Sequence, residues 1–268
     1  MVRAMPSFTC LGPSFMQHAT YPDLRGKRVL VTGGGSGIGA AIVEAFVSQG
    51  AQVLFLDIAE GESHALEKKL SGAKPAPRFF KCDLTDIPAV QAMIARLEKE
   101  FGGIQVLINN AANDDRHDVG EITAGYWDQR IAVNLRHQFF CAQAVIPAMQ
   151  KAGGGVILNM GSVSWHLGEP RMAIYQTTKA AIEGMTRALA RDFGADGIRV
   201  NCILPGAVKT ERQMKLWHTP EAEKAILNTQ CLKTRLEPED IAALALFLGS
   251  DSARGCTAHN YFVDAGYR

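Results

Sequence analysis

Short runs of β-branched and aliphatic residues alternate along this chain with longer stretches in which apolar residues recur at helical spacing. The runs at 28–32, 52–57, 78–82, 106–109, 156–159, 199–204 and 261–263 predict strands, each short and apolar enough to be buried on both faces. Helices are predicted between them at 38–49, 86–101, 123–151, 173–193 and 238–248. The first carries Ile38, Ile42, Ala45 and Phe46 on one face and stops at Gly50. Strand and helix in alternation imply right-handed βαβ units, and so a parallel sheet with helices on both sides.

Seven such strands form one doubly wound α/β domain of the Rossmann type over residues 26–268, without repeat or linker. Residues 1–25, punctuated by Pro6, Pro13 and Pro22, read as a loose N-terminal tail, with order beginning at Lys27 and Met16 as an alternative natural start. The stretch 206–234 is the least regular internal part and is expected to act as a substrate lid.

Composition narrows the class. With 28 Lys+Arg against 27 Asp+Glu the net charge is +1, and no basic strip invites nucleic acid or an anionic membrane. The strongest apolar run, 241–248, is far below the roughly 18 residues a membrane span requires, and no signal-peptide core opens the chain. Six scattered cysteines without C-x-x-C spacing fit neither a disulfide framework nor a zinc site, and no His-Glu metal motif occurs. A cytoplasmic protein with reduced thiols and no metal is expected.

The first predicted strand runs into Thr32-Gly33-Gly34-Gly35-Ser36-Gly37-Ile38-Gly39 and then directly into a helix. Glycines here permit a tight turn and let backbone and helix N-terminus approach a pyrophosphate, so Gly33, Gly35, Ser36, Gly37, Ile38 and Gly39 are candidate dinucleotide contacts. Asp57 ends the second strand, where a carboxylate accepts hydrogen bonds from both adenosine ribose hydroxyls and repels a 2′-phosphate. No Arg or Lys occurs at Ser36 or in 58–60 to offset that repulsion, so NAD is favoured over NADP. Asp83 and Leu84 close the third strand near the adenine, and Asn109-Asn110-Ala111 closes the fourth, with Asn110 and Ala111 assigned to the cofactor.

Tyr175 and Lys179 stand at i and i+4 on one helix face, and Ser162 lies at the end of a strand, where open α/β sheets bind ligands. Using a phenolate near neutral pH requires lowering a pKa of about 10 by roughly three units, about 4 kcal/mol. One ammonium at about 4 Å under an effective dielectric of about 20 supplies a comparable energy.

The glycine pattern, Asn109-Asn110-Ala111, Asn134, Ser162, Tyr175, Lys179 and Pro205-Gly206 together resemble the short-chain dehydrogenase/reductase family. That resemblance implies a catalytic set of Asn134, Ser162, Tyr175 and Lys179, with Asn134 holding a water that links Lys179 to solvent. It further implies that Pro205, Gly206, Val208 and Thr210, along with Tyr175 and Lys179, contact the cofactor, and that the chain forms a homotetramer through its long helices. Ala112 departs from the family's usual glycine.

Beside these residues the chain is unusually polar: Asn113-Asp114-Asp115-Arg116-His117 follows the fourth strand and Ser164-Trp165-His166 follows Ser162. Amides, hydroxyls and carboxylates beside an indole suit a polyhydroxylated ring, with Asn113, Ser162, Ser164, His166 and Tyr175 as candidate contacts. Those segments, with Leu56-Asp57-Ile58-Ala59, Cys231-Leu232-Lys233 and the ending Asp264-Ala265-Gly266-Tyr267-Arg268, are similar to the bacterial sugar 1-dehydrogenases that act on D-xylose or L-arabinose. The likeness implies oxidation of an aldopyranose at C1, with D-galactose and L-fucose as further candidates. A 3-oxoacyl-reductase-type enzyme and a non-catalytic NAD(H) sensor are the competing readings.

Overall fold

The computed structural model of the chain describes residues 18–267. Seven parallel strands form one sheet in the order β3-β2-β1-β4-β5-β6-β7. In chain order the elements are β1 (Arg28–Thr32), α1 (Gly37–Ser48), β2 (Gln52–Asp57), α2 (Glu60–Lys69), β3 (Arg78–Lys81), α3 (Ile87–Phe101) and β4 (Val106–Asn109). They continue through α4 (Ala124–Ile131), α5 (His137–Ala152), β5 (Gly155–Met160), α6 (Ser164–Leu167), α7 (Ala173–Phe193) and β6 (Ile198–Pro205). The last are α8 (Glu211–Leu216), α9 (Pro220–Thr229), α10 (Pro238–Gly249) and β7 (Asn260–Val263).

Alternation along each strand sorts its side chains between two cores. Val29 and Val31 of β1 pack with Ile42 and Phe46 of α1 and Ile241 and Ala245 of α10 on one face. Leu30, between them, faces Ile94 of α3, Val145 of α5 and Leu189 of α7 on the other. The chain leaves β1 toward β2 on one side and returns to β4 on the other, so the crossovers diverge at the carboxyl ends of β1 and β4. That divergence opens the crevice in which such sheets bind ligands.

Order begins earlier than Lys27. Leu24, in a short 3₁₀ turn at Pro22–Leu24, is fully buried in the α1/α10 core, and the Tyr21 N–H donates to Gln49 Oε1 at 2.8 Å. Burying one leucine stabilises by about 1.5–3 kcal/mol, enough to fix this segment. Residues 1–17 of the expected tail, Met16 and Cys10 included, lie outside the described residues, as does Arg268.

The helix expected across 123–151 is interrupted by a π turn at Ala132–Arg136, which joins α4 to α5. The expected lid region is also more regular than its sequence reads, because α8 and α9 lie within it, capped by the Thr210 and Thr219 hydroxyls. Neither helix buries a residue, so both ride on the domain rather than in it. Among the described residues no helix is long and apolar enough to cross a membrane, and no cluster of three or more His, Cys, Asp or Glu could hold a metal ion.

Candidate active site

Gly33 leaves β1 in the left-handed region at φ 65°, and a Cβ there would stand 2.8 Å from the Ala111 Cα. Gly39 lies so close against the Gly33 carbonyl that no side chain fits between them. Thr32 Oγ1 accepts the N–H groups of Asn110 and Ala111 at 3.0 and 3.2 Å, while Asn110 Nδ2 donates to the Thr32 and Gly33 carbonyls at 3.1 and 2.9 Å. The glycine loop and the end of β4 are thereby clamped together. Ser36 gives α1 no side-chain cap, so the first-turn N–H groups remain available to an anion.

Asp57 sits beside this loop. Its Oδ2 accepts the Gly35 N–H at 2.8 Å, and its Oδ1 accepts those of Ile58 and Ala59 at 2.8 and 3.0 Å. A Cβ on Gly35 would meet Asp57 Oδ2 at 3.0 Å and would collide with Ser63 Oγ of α2. That serine hydroxyl is buried without a hydrogen-bond partner. A side-chain-free cradle, an anchored carboxylate and an orphaned hydroxyl fit the adenosine and pyrophosphate end of a dinucleotide.

Asp83 and Leu84 follow β3 on the same side, where the Cys82 N–H donates to the Asp57 carbonyl at 3.0 Å. The Asp83 carboxylate itself accepts from the Thr85 N–H and hydroxyl at 2.9 and 2.8 Å. Across the loop, Thr210 Cγ2 lies 3.4 Å from where a Gly37 Cβ would stand, so the residue before α8 lies against the glycine turn. Gly206 has a packing reason of its own, since a Cβ there would approach the Asp264 Cα to 2.7 Å, and Val208 is buried.

Ser162, Tyr175 and Lys179, the expected proton-handling residues, converge where the chain leaves β5 and enters α7. Ser162 hydrogen-bonds Tyr175, and its Oγ also accepts the Ser164 N–H at 3.1 Å. Lys179 is 1 % exposed; its Nζ donates to the Met160 carbonyl at 2.7 Å and lies 5.3 Å from the centre of the Tyr175 ring. Burial pushes the Lys179 ammonium down to about 8, opposed by the neighbouring Cys202 and the charge of Asp114. Burial and then the Asp114 carboxylate push the Tyr175 phenol up, with only Ser162 working against them. The chain's own groups thus disfavour the phenolate.

Asn134 occupies the π turn, a helix irregularity that recurs at functional sites. Its Oδ1 accepts the Asn113 N–H at 2.7 Å, and its Nδ2 is buried without a partner. His137, one turn on, belongs to no motif that marks it in the sequence. It is fully buried and pairs through Nε2 with the Ala111 carbonyl at 3.1 Å, which makes that nitrogen the donor. Burial, then the charge of Lys179, depresses its pKa to about 4, so it stays neutral beside the lysine. His117 Nε2 accepts the Ile174 N–H at 3.3 Å and so caps α7 one residue before Tyr175, where the N-cap residue Met172 offers no side-chain acceptor.

The expected sugar contacts divide. Ser164 is buried against Ser162 at 3.0 Å between their oxygens. Asn113 borders the site, with its Oδ1 accepting the Asp115 N–H at 2.9 Å. His166 keeps different company: its Nε2 pairs with Glu183 at 3.1 Å, and its ring lies 3.8 Å from that of Trp165 and 5.0 Å from that of Phe262. The Trp165 indole also donates to Glu183, at 2.5 Å. A buried carboxylate has drawn both rings to itself. Ala112 is exposed, so its extra methyl crowds none of the core.

A doubly wound sheet with a side-chain-free pyrophosphate cradle, an anchored carboxylate at the second strand and a Ser-Tyr-Lys cluster defines a nicotinamide-dependent oxidoreductase. A family model described as enoyl-(acyl carrier protein) reductase matches residues 33–268. The chain is 56 % identical over 253 residues to the D-xylose 1-dehydrogenase of Caulobacter vibrioides, covering 94 % of this chain and 100 % of that protein. It is 48 % identical to a probable galactose dehydrogenase of Rhizobium meliloti, over 92 % of this chain and 96 % of the relative. A solved structure of a putative short-chain alcohol dehydrogenase from Sinorhizobium meliloti 1021 superposes with a TM-score of 0.87 at 31 % identity, covering 91 % of this chain and 97 % of that one. The chain belongs to the short-chain dehydrogenase/reductase family and is a dehydrogenase.

Proposed function

We propose that the protein is an NAD-dependent aldose 1-dehydrogenase, which oxidises the anomeric C1 hydroxyl of a pyranose, D-xylose or L-arabinose first, to the aldonolactone. The observation that carries this reading is the 56 % identity, along essentially the whole chain, to a D-xylose 1-dehydrogenase, together with an intact Asn134, Ser162, Tyr175 and Lys179 set. Ser162 hydrogen-bonds the C1 oxygen and Tyr175 takes its proton as the carbonyl of the lactone forms. Lys179 holds positive potential under the phenol ring, and Asn134 fixes the loop after β4 through the Asn113 N–H. A nicotinamide bound there would supply the hydride acceptor for C1 and a positive charge beside the phenol. Residues 206–234 serve as the lid over this reaction. The exposed Trp127 of α4 and Phe139 of α5, 41 % and 42 % accessible, offer apolar surface to the homotetramer proposed for the assembly.

A panel of aldoses with NAD⁺, compared by kcat/KM, tests the reading. NADH formation is expected from D-xylose or L-arabinose, with weaker turnover of D-galactose or L-fucose; formation from no pentose, hexose or deoxysugar would reject it. Asp57 is proposed to discriminate NAD from NADP. Asp57→Ala removes both the charge and the anchor of the Gly35 N–H, so the NAD over NADP ratio of kcat/KM is expected to fall by about tenfold or more. An unchanged ratio would take Asp57 out of that role.

A further inference from the structure

The polar segment after β4 faces the lid. Each residue from Asn113 to Arg116 engages α8 or the residue that ends it. Arg212 spans the segment: its Nε donates to Asp114 Oδ1 at 3.1 Å, and its Nη2 to Asp115 Oδ1 at 2.6 Å and Asn113 Oδ1 at 3.4 Å. Gln213 Nε2 donates to Asp114 Oδ2 at 2.5 Å, and Arg116 stacks over the Trp217 ring at 4.9 Å. Arg130 of α4, from the far side, donates to Asp115 Oδ2 at 3.0 Å and holds the segment to the domain. Since α8 buries no residue of its own, these polar contacts rather than a hydrophobic seat locate it. The segment begins at the residue whose N–H is held by Asn134, and the Asp114 carboxylate is near enough to act on both Tyr175 and Lys179.

We propose that Arg212 is a positioning residue of the reaction: it clasps the lid helix α8 to Asn113, Asp114 and Asp115, and in doing so screens the Asp114 charge from Tyr175. The inference rests on the dehydrogenase reading of the site but not on which alcohol is oxidised. Closing the lid and readying the base become one event, because the contact that seats α8 also screens the carboxylate opposing the phenolate. An exposed ion pair on its own is worth little, yet Asp114 is largely buried, its side chain 17 % accessible, and there a single opposing charge has more effect.

The charged and titratable groups around the base fix the direction of the pH effect. Tyr175 meets Lys179 on its own helix, Asp114 from the loop after β4 and Ser162 from the turn after β5; Lys179 in turn meets Cys202 of β6 and His137 of α5. Oxidation uses the phenolate, so kcat/KM rises with pH through the Tyr175 ionisation. Loss of Arg212 exposes Tyr175 to the full Asp114 charge, and this acid limb moves to higher pH.

The test compares Arg212→Gln, Asp114→Asn and the double variant in the full chain, using whichever alcohol the wild-type enzyme oxidises. In Arg212→Gln the acid limb is expected about one pH unit higher, and adding Asp114→Asn is expected to return it to the wild-type position or below. A lid contact without electrostatic coupling would lower kcat/KM at every pH and leave the limb in place, and that outcome overturns the proposal. A second readout needs no turnover. Chymotrypsin cleavage after Leu216 and Trp217 is expected about tenfold faster in Arg212→Gln than in the wild type, and an unchanged rate overturns the clasp. Failure of the aldose panel alone rejects the sugar assignment and leaves both readouts able to decide the clasp.

Discussion

Tyr175→Phe is expected to lower kcat by about a thousandfold, within the range for loss of a general base, while NADH affinity stays within about twofold of wild type. A thousandfold corresponds to roughly 4 kcal/mol in the transition state. The substitution removes a single oxygen. Its ring remains beside the Lys179 ammonium, and Ser162 keeps Ser164 as a partner, so no buried polar group is stranded. Fluorescence titration with NADH separates binding from chemistry, and turnover comparable to wild type would reject Tyr175 as the base. The wild-type pH profile is expected to carry the same signature. Because burial and Asp114 both push the phenol up, activity in the oxidative direction is expected to climb toward alkaline pH, and Tyr175→Phe is expected to abolish that climb rather than displace it.

What the sequence makes legible follows from where the physics is local. Strands buried on both faces write themselves as continuous apolar runs, and those expected at 28–32, 52–57 and 106–109 have the bounds of β1, β2 and β4. The long helix of Tyr175 and Lys179 likewise spans 173–193 as its periodicity predicts. By contrast α2 carries only Ser63 and Leu66 to the interior, too narrow a stripe to register as a helix. The helices α8 and α9 bury nothing, so periodicity has no face to report; the signal that was present is Thr219-Pro220-Glu221, an N-cap followed by proline and acid. Leu24 reads as tail because a single buried residue just after Pro22 leaves no period at all.

The site divides along the same line. Motif residues at strand ends can be read from spacing because the sheet fixes their positions. The partners of side chains on loops cannot, since they depend on which distant element arrives. Polar residues 113–116 suggest a hydroxylated ligand, yet much of their hydrogen-bonding capacity is taken up by Arg212 and Gln213, nearly a hundred residues away in sequence. His166 is claimed by Glu183 of α7, and His117 caps the helix that carries Tyr175. The sugar assignment therefore leans on whole-chain likeness to sugar dehydrogenases more than on loop polarity.

Lys179→Met is expected to remove activity and raise stability together. Without the ammonium the Tyr175 phenolate loses its neighbouring cation, and kcat is expected to fall by about two to three orders of magnitude. On stability, the folded lysine titrates near 8 against an ordinary value of 10.5. Below pH 8 it is protonated in both folded and unfolded states, and the cost of burying the charge, roughly 3 kcal/mol, is fully present. Between pH 8 and 10.5 the unfolded chain holds a proton that the folded one has released, so this cost fades as pH rises. Methionine fills a similar volume without charge, and giving up the bond to the Met160 carbonyl costs about 1 kcal/mol. A net gain of about 2 kcal/mol at pH 7 follows, several degrees in Tm for a chain of this length. Thermal melts of both proteins across pH 7–10 read the difference, which is expected to shrink as pH rises above 8. A constant difference, or a less stable Lys179→Met variant, would mean that the ammonium is better satisfied in place than its burial implies. Combined with lost turnover, the expected pattern identifies a cation that the fold retains at a cost to its own stability because the chemistry requires it.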